Sequence, residues 1–253
     1  MKRRFAGLLA AALAVALAVA ATAAFATSFV GTSADDQLTG TPAPDQLYGE
    51  DGGDTLDGQA GSDYIEGGPG ADQITAGPGA DLAIGGTCND RIDMGTGSDV
   101  VYAGADDDEV FGGPGNDTLL GQAGADRVFG GPGDDRIYAA LGPDVVDGGA
   151  GRDRIVASDG DSTLNGGADD DQITATAGNF TVDGGAGNDR IDTGAGNDTI
   201  AGGPGVDLIF AGGGDDTIDV ADSKRDTVYC GAGKDTITVD KRDIVRNCET
   251  INR

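Results

Sequence analysis

The segment Gly184-Gly185-Ala186-Gly187-Asn188-Asp189-Arg190-Ile191-Asp192 decides how this chain is read. Its first six residues are turn chemistry: glycines that reach left-handed backbone angles and leave carbonyls unhindered, closed by an Asp. Its last three alternate polar, aliphatic, polar, the pattern of a very short strand with one inward side chain. Working outward, the same unit recurs as GGPGADQIT at 67–75 and GGPGNDTLL at 112–120. From Gly31 to Asp219 the chain divides into 21 consecutive nonapeptides with no insertion or deletion. The sixth position is Asp in 19 of these 21 units, and the eighth is Leu, Ile or Val in 20, Ala83 being the departure.

One such strand cannot bury its aliphatic residue alone, but stacked units can. Two nonapeptides wound into each coil put the strands into two parallel sheets with the aliphatic side chains between them. Residues 18 apart then lie above one another at the strand spacing of roughly 4.8 Å, and about twelve coils make a rod on the order of 55 to 60 Å long. The expected class is all-β.

Stacking the loops also stacks the sixth-position carboxylates into two columns, one along each edge. One column holds Asp36, Asp54, Asp72, Asp90, Asp108, Asp126, Asp144, Asp198 and Asp216. The other holds Asp45, Asp63, Asp81, Asp99, Asp117, Asp135, Asp153, Asp171, Asp189 and Asp207, and Asp226 and Asp235 continue the series beyond the regular units. Like charges repeated every roughly 5 Å cost more than so thin a core returns, so a metal between successive loops is required for folding. Carboxylates and backbone carbonyls without imidazole or thiolate select a hard cation. Calcium suits irregular loops better than magnesium, because it tolerates six to eight oxygens and no strict octahedron. Neighbouring Asp pairs along the columns give roughly 18 positions for such ions.

With these units in phase, the sequence resembles the repeats-in-toxin (RTX), or haemolysin-type, calcium-binding nonapeptide family. The resemblance covers essentially the whole chain after residue 26. It implies a parallel β-roll, a right-handed β-solenoid, in which sixth-position carboxylates and loop carbonyls hold several Ca2+ ions between coils. Here those carboxylates are the Asp residues named above. Members of the family often carry a toxin, protease or lipase domain and an uncleaved C-terminal export signal. This sequence instead shows an N-terminal signal pattern and no such domain.

Composition fits that expectation and excludes others. The chain of 253 residues has 44 acidic and 16 basic residues, a net charge of −28, and no histidine. Nucleic acid and anionic surfaces would repel it. The commonest general base, the Ser-His-Asp arrangement and the usual zinc ligand sets are absent. The period leaves no long loop to wall a cleft, so no enzyme is expected, and a hydrolase or lyase on a β-solenoid is the remote alternative. Lys2, Arg3 and Arg4, the apolar run from Phe5 to about Ala24, and Ala24-Phe25-Ala26 form the three-part pattern of a secretory signal peptide, residues 1–26. Association with a membrane is expected only if that segment is retained. Its removal takes three basic residues and no acid, leaving 13 against 44 and a charge of −31.

Further expectations concern breaks, ends and faces. Residues 27–219 form the roll and 220–253 an irregular C-terminal cap. Ser162 and Phe180 replace Asp at successive places in one column, so calcium is expected to be weak or missing there between Asp144 and Asp198, while the opposite edge stays filled. Cys230 and Cys248, 18 residues apart, are expected to bridge. Cys88 stands alone at a loop Gly position and is expected to be a buried thiol. Tyr64, Leu82, Ile84, Val100, Tyr102, Leu120 and Tyr138 form an outward apolar stripe, the candidate face for a protein or cell-surface partner. Thr163, Thr181, Thr199 and Thr217 form a ladder similar to those of ice-binding adhesin domains on calcium β-rolls. The leading expectation is a secreted calcium-binding rod with a structural or adhesive role, folding as calcium binds.

Overall fold

A computed structural model describes residues 27–253; the expected signal segment lies outside the described residues. Among the described residues, twenty-six short strands alternate between two sheets of 13 strands each, odd strands in chain order forming the first sheet and even strands the second. Neighbours within each sheet run parallel, and the described residues hold no helix. The chain is therefore a parallel β-roll.

The nine-residue unit explains the architecture. Its three strand residues place only the eighth position inward, and partners 18 apart stack in register, as in Leu47 with Ile65, Ile74 with Ile92, and Val128 with Val146. These side chains are almost completely buried and form one continuous core between the sheets. Where the first position is not glycine, its side chain joins that core, as Ala76, Met94 and Ala139 do. Phe180 is the largest fully buried side chain.

Thirteen coils are present rather than about twelve. Strand Thr27–Val30 adds to the roll ahead of the first unit, and Ile244–Arg246 and Thr250–Asn252 add to it after the last regular one. Phe29, Leu38 and Val245 are only partly buried and Ile251 is 43% exposed, because an end coil has a neighbour on one side alone. At the C-terminal end the register changes. Ile209 pairs with Val228 and Ile218 with Ile237, 19 apart, after which Val228 meets Val245 and Ile237 meets Ile251 across shorter coils. Cys230 and Cys248 form a disulfide with Cα atoms 5.2 Å apart, joining the last complete coil to the cap.

Two sequence expectations are corrected. Cys88 is exposed rather than buried, because the fourth position lies on the outer rim of the turn. There its backbone takes a φ of +75° and its N–H donates to Asp106 Oδ2 at 3.2 Å. Leu82 is 3% exposed and drops out of the outward stripe, flanked in register by Tyr64 and Val100, and the other six residues of that stripe are half-buried or buried only in part. The threonine ladder, by contrast, is longer than its sequence period suggests. Thr163, Thr181, Thr199 and Thr217 continue in register through Thr236 and Thr250.

Since each unit buries one aliphatic side chain, Ile137→Ala should destabilise the calcium-saturated protein by about 2–5 kcal/mol. Arg136→Ala, on the exposed face of the same strand, should change stability by less than about 0.5 kcal/mol. Urea unfolding followed by far-UV circular dichroism measures both; equal effects would contradict the one-sided core.

Candidate metal centres

Each sixth-position Asp ends its turn and enters a strand, so its side chain is fixed by two neighbouring coils. From Asp54 onward its Oδ1 accepts the backbone N–H of the sixth-position residue one coil earlier. Examples are Asp54 to Asp72 at 2.7 Å, Asp81 to Asp99 at 2.7 Å, Asp108 to Asp126 at 2.9 Å and Asp189 to Asp207 at 2.9 Å. The extra residue before Asp226 and Asp235 does not break this ladder, for Asp207 and Asp216 donate to them across 19 residues.

The other oxygen is left over. Oδ2 is buried and has no hydrogen-bond partner in Asp54, Asp63, Asp72, Asp81, Asp90, Asp99, Asp108, Asp117, Asp126, Asp135, Asp144, Asp153, Asp171, Asp189, Asp198, Asp207, Asp216, Asp226 and Asp235. A bare buried carboxylate oxygen costs several kcal/mol unless a charge or donor meets it. The space beside it is defined by the first-position glycine. A Cβ on Gly67 would lie 2.3 Å from Asp72 Oδ2 and 2.7 Å from the Gly85 carbonyl oxygen of the next coil; on Gly130 it would lie 2.5 Å from Asp135 Oδ2 and 2.4 Å from the Gly148 oxygen. Glycine at these two positions leaves that space open between carboxylate and carbonyl oxygens; at Asp81, Asp99, Asp108, Asp144 and Asp216 the first position is instead Ala76, Met94, Ala103, Ala139 and Ala211.

The first two carboxylates of the series differ. Asp36 Oδ2 accepts the N–H and hydroxyl of Thr32 at 2.6 and 2.9 Å, and Asp45 Oδ2 those of Thr41 at 2.5 and 2.8 Å. Protein donors therefore meet the oxygen that the later coils leave bare, and in Asp45 it is the buried Oδ1 that has no partner. At Ser162 and Phe180 the column changes character as well. Ser162 Oγ accepts the Asp144 N–H at 3.0 Å and donates to the Gly142 carbonyl at 3.2 Å, and Phe180 is packed into the core. Along that stretch the first positions are Ala139, Ala157, Ala175, Thr193 and Ala211 instead of glycine. Hydroxyls of Thr176 and Thr193 take up the carbonyls of Ala157, Ser158 and Ala211.

Several contributors escaped the sequence reading. A second ladder runs through the fifth position in the opposite sense: Asp107, Asn116 and Asp134 accept the N–H groups of Ala125, Asp134 and Arg152, one coil later, at 2.8–2.9 Å. The signal was present, since Asp, Asn or Ser recurs at that position. Asp243 and Glu249 terminate the main ladders by accepting the N–H groups of Asp226 and Asp235 at 3.2 and 3.0 Å. No periodicity points to those two.

Electrostatics separates the two ladders. Burial pushes the sixth-position carboxyls up, to about 6 in Asp72, about 7 in Asp99 and Asp135, and about 8 in Asp90; donated backbone N–H groups oppose the rise, and neighbouring carboxylates add to it. In the exposed fifth-position Asp134 and Asp170 the backbone N–H groups of Arg152 and Asn188 are the leading influence and hold the carboxyl below its usual range. Among the described residues no three Cys, Asp or Glu side chains gather at one point. Ions would accordingly be held by a few carboxylate oxygens completed by backbone carbonyls, a hard-cation donor set that suits calcium.

The sequence profile described as RTX calcium-binding nonapeptide repeat (4 copies) matches residues 30–65, 66–101, 84–119, 111–146, 147–179 and 181–218. The chain belongs to this family. It is a calcium-binding repeat protein, and the matched blocks include almost all of the carboxylate ladder while leaving out Phe180 and the C-terminal cap. No curated protein matches the chain.

The raised carboxyl values give the metal-free roll a defined pH dependence. Groups that titrate near 3.8 when unfolded and at about 6 to 8 when folded favour the folded state fully below pH ~4, and lose that contribution as pH rises through 6 to 8. Calcium-free protein should thus show more β structure at pH 5 than at pH 8. Identical circular dichroism spectra at the two values would contradict the buried ladder.

Proposed function

We propose that this chain is a secreted rod that folds as calcium binds and acts as a structural or adhesive module. The observation that carries the proposal is the pair of buried columns in which, from Asp54 onward, each carboxylate has one oxygen bonded to the preceding coil and one bare oxygen, with a carbonyl close by where the first position is glycine. An ion placed there joins two coils, so its binding free energy becomes folding free energy. The signal pattern at residues 1–26 directs the chain outward, where calcium is plentiful. A partner would meet the outer faces, where Tyr64, Ile84, Val100, Tyr102, Leu120 and Tyr138 remain partly accessible.

A calcium titration at pH 7.5 followed by circular dichroism tests the coupling. Ellipticity near 218 nm, roughly where β-sheet absorbs, should be weak in chelator and rise steeply with calcium. A β spectrum that chelator leaves unchanged would sink the proposal.

The two edges should load unequally. Between Asp144 and Asp198 the hydroxyls of Ser162, Thr176 and Thr193 and the Phe180 ring take the place of ions, whereas Asp153, Asp171 and Asp189 continue on the opposite edge. Crystals grown in calcium should show ions along the second edge and none beside Ser162 and Phe180. Full-occupancy calcium at those two residues would refute the gap.

A further inference from the structure

We propose that one more hard-cation site lies beyond the nonapeptides, between Asp226 and Asp240 at the C-terminal end of the first sheet's edge. The inference rests on the calcium reading of the repeat and extends it to a loop of different sequence. Along this edge, every rung from Asp63 to Asp226 keeps one oxygen free. After Asp226 the next rung is Asp243, whose Oδ1 accepts the Asp226 N–H at 3.2 Å. Its Oδ2 is not free, because it accepts the Asp240 N–H at 2.8 Å. The rung therefore braces two backbones and, unlike those before it, keeps no unbonded oxygen.

Asp240 restores the missing oxygen. Its Oδ1 accepts the Arg242 N–H at 2.8 Å, while Oδ2 is buried without a partner. Asp226 is fully buried, its Oδ1 holds the Asp207 N–H at 2.8 Å, and its Oδ2 is likewise bare. The backbone N–H groups of both residues are hydrogen-bonded to the same Asp243 carboxylate, which holds the two residues beside one another at this loop. The charges of Asp243, Asp222 and Asp240 all bear on Asp226, behind burial as the main influence on its carboxyl. Asp222 is already engaged, with Gly205 and Lys224 N–H groups each at 2.7 Å, so it contributes charge and no free oxygen. Two carboxylate oxygens, completed by backbone carbonyls or water, would make a donor set for calcium rather than for a soft metal. The opposite end of the roll is closed differently, since Thr32 and Thr41 donate to Oδ2 of Asp36 and Asp45.

Such a site would pin the loop between the last complete coil and the disulfide-linked cap. Lys241 and Arg242 are exposed in that loop and report on it through trypsin cleavage. In the full-length protein, calcium should protect both bonds over the range in which the roll folds. Asp240→Asn retains the acceptor for the Arg242 N–H but removes the ligand charge. It should raise the calcium concentration for half-protection by roughly tenfold while the β transition stays at the wild-type concentration. Unchanged protection overturns the site. Should the variant shift the whole β transition, wild-type crystals soaked in terbium decide: an anomalous peak between Asp226 and Asp240 supports the site, and peaks along the repeats with none there overturn it alone. Absence of every peak would overturn the calcium reading and this site with it.

Discussion

A buried carboxylate with one oxygen bonded and the other bare is the constraint on which the roll depends. The bond from Oδ1 to the N–H of the preceding coil fixes the stacking of turns; in doing so it turns Oδ2 toward the gap between them. Two unit charges about 5 Å apart repel by about 3 kcal/mol at an effective dielectric constant of ~20. A buried Leu, Ile or Val contributes about 1.5–3 kcal/mol. With one aliphatic residue and one carboxylate per unit, the core does not outweigh the repulsion, and the proposed ion between coils would settle the balance. The same geometry that orders the backbone thus creates the demand for the ion.

The two aspartate ladders show how little composition alone says about such a site. Fifth- and sixth-position Asp residues are neighbours in sequence and both accept backbone N–H groups from an adjacent coil. Asp134 faces solvent and takes its bond from the later coil; Asp135 faces the gap and is bonded by the earlier one. Solvent screens the first, so the donated bond dominates and lowers its carboxyl. Burial dominates in the second and raises it to about 7. Only the inward column creates a demand for metal.

Periodicity made the fold legible because position within a nine-residue unit determines both burial and backbone geometry. Ile137 is inward and Asp135 is in the gap for the same reason that Ile191 and Asp189 are. Residues that act outside the period gave no comparable signal. Thr32 and Thr41 close the first rungs through hydroxyls, and Asp243 and Glu249 close the last ones after the register has shifted. Cys88 and Leu82 were misplaced because a repeat position predicts where the backbone goes. It does not predict that a fourth-position side chain hangs off the rim, or that large neighbours on flanking strands cover a seventh-position leucine. The six-threonine row was legible only in part, since its last two members reach register across coils of 19 and 14 residues.

Interruption of one edge is tolerable because stability in a stacked array passes from neighbour to neighbour along several parallel tracks. At Ser162 and Phe180 the sheets continue unbroken, with Leu164, Val182 and Ile200 in register on one side and Ile155, Ile173 and Ile191 on the other. The opposite carboxylate column also continues through Asp153, Asp171 and Asp189. Phe180 adds apolar burial where a charge has been removed, and the hydroxyls of Ser162 and Thr176 bond carbonyls that would otherwise face an ion. Removing the carboxylate removes the repulsion together with the proposed binding site, so on that proposal the interrupted edge would need no ion to hold its coils together. A column that kept its carboxylates and lost its cations would have no such compensation.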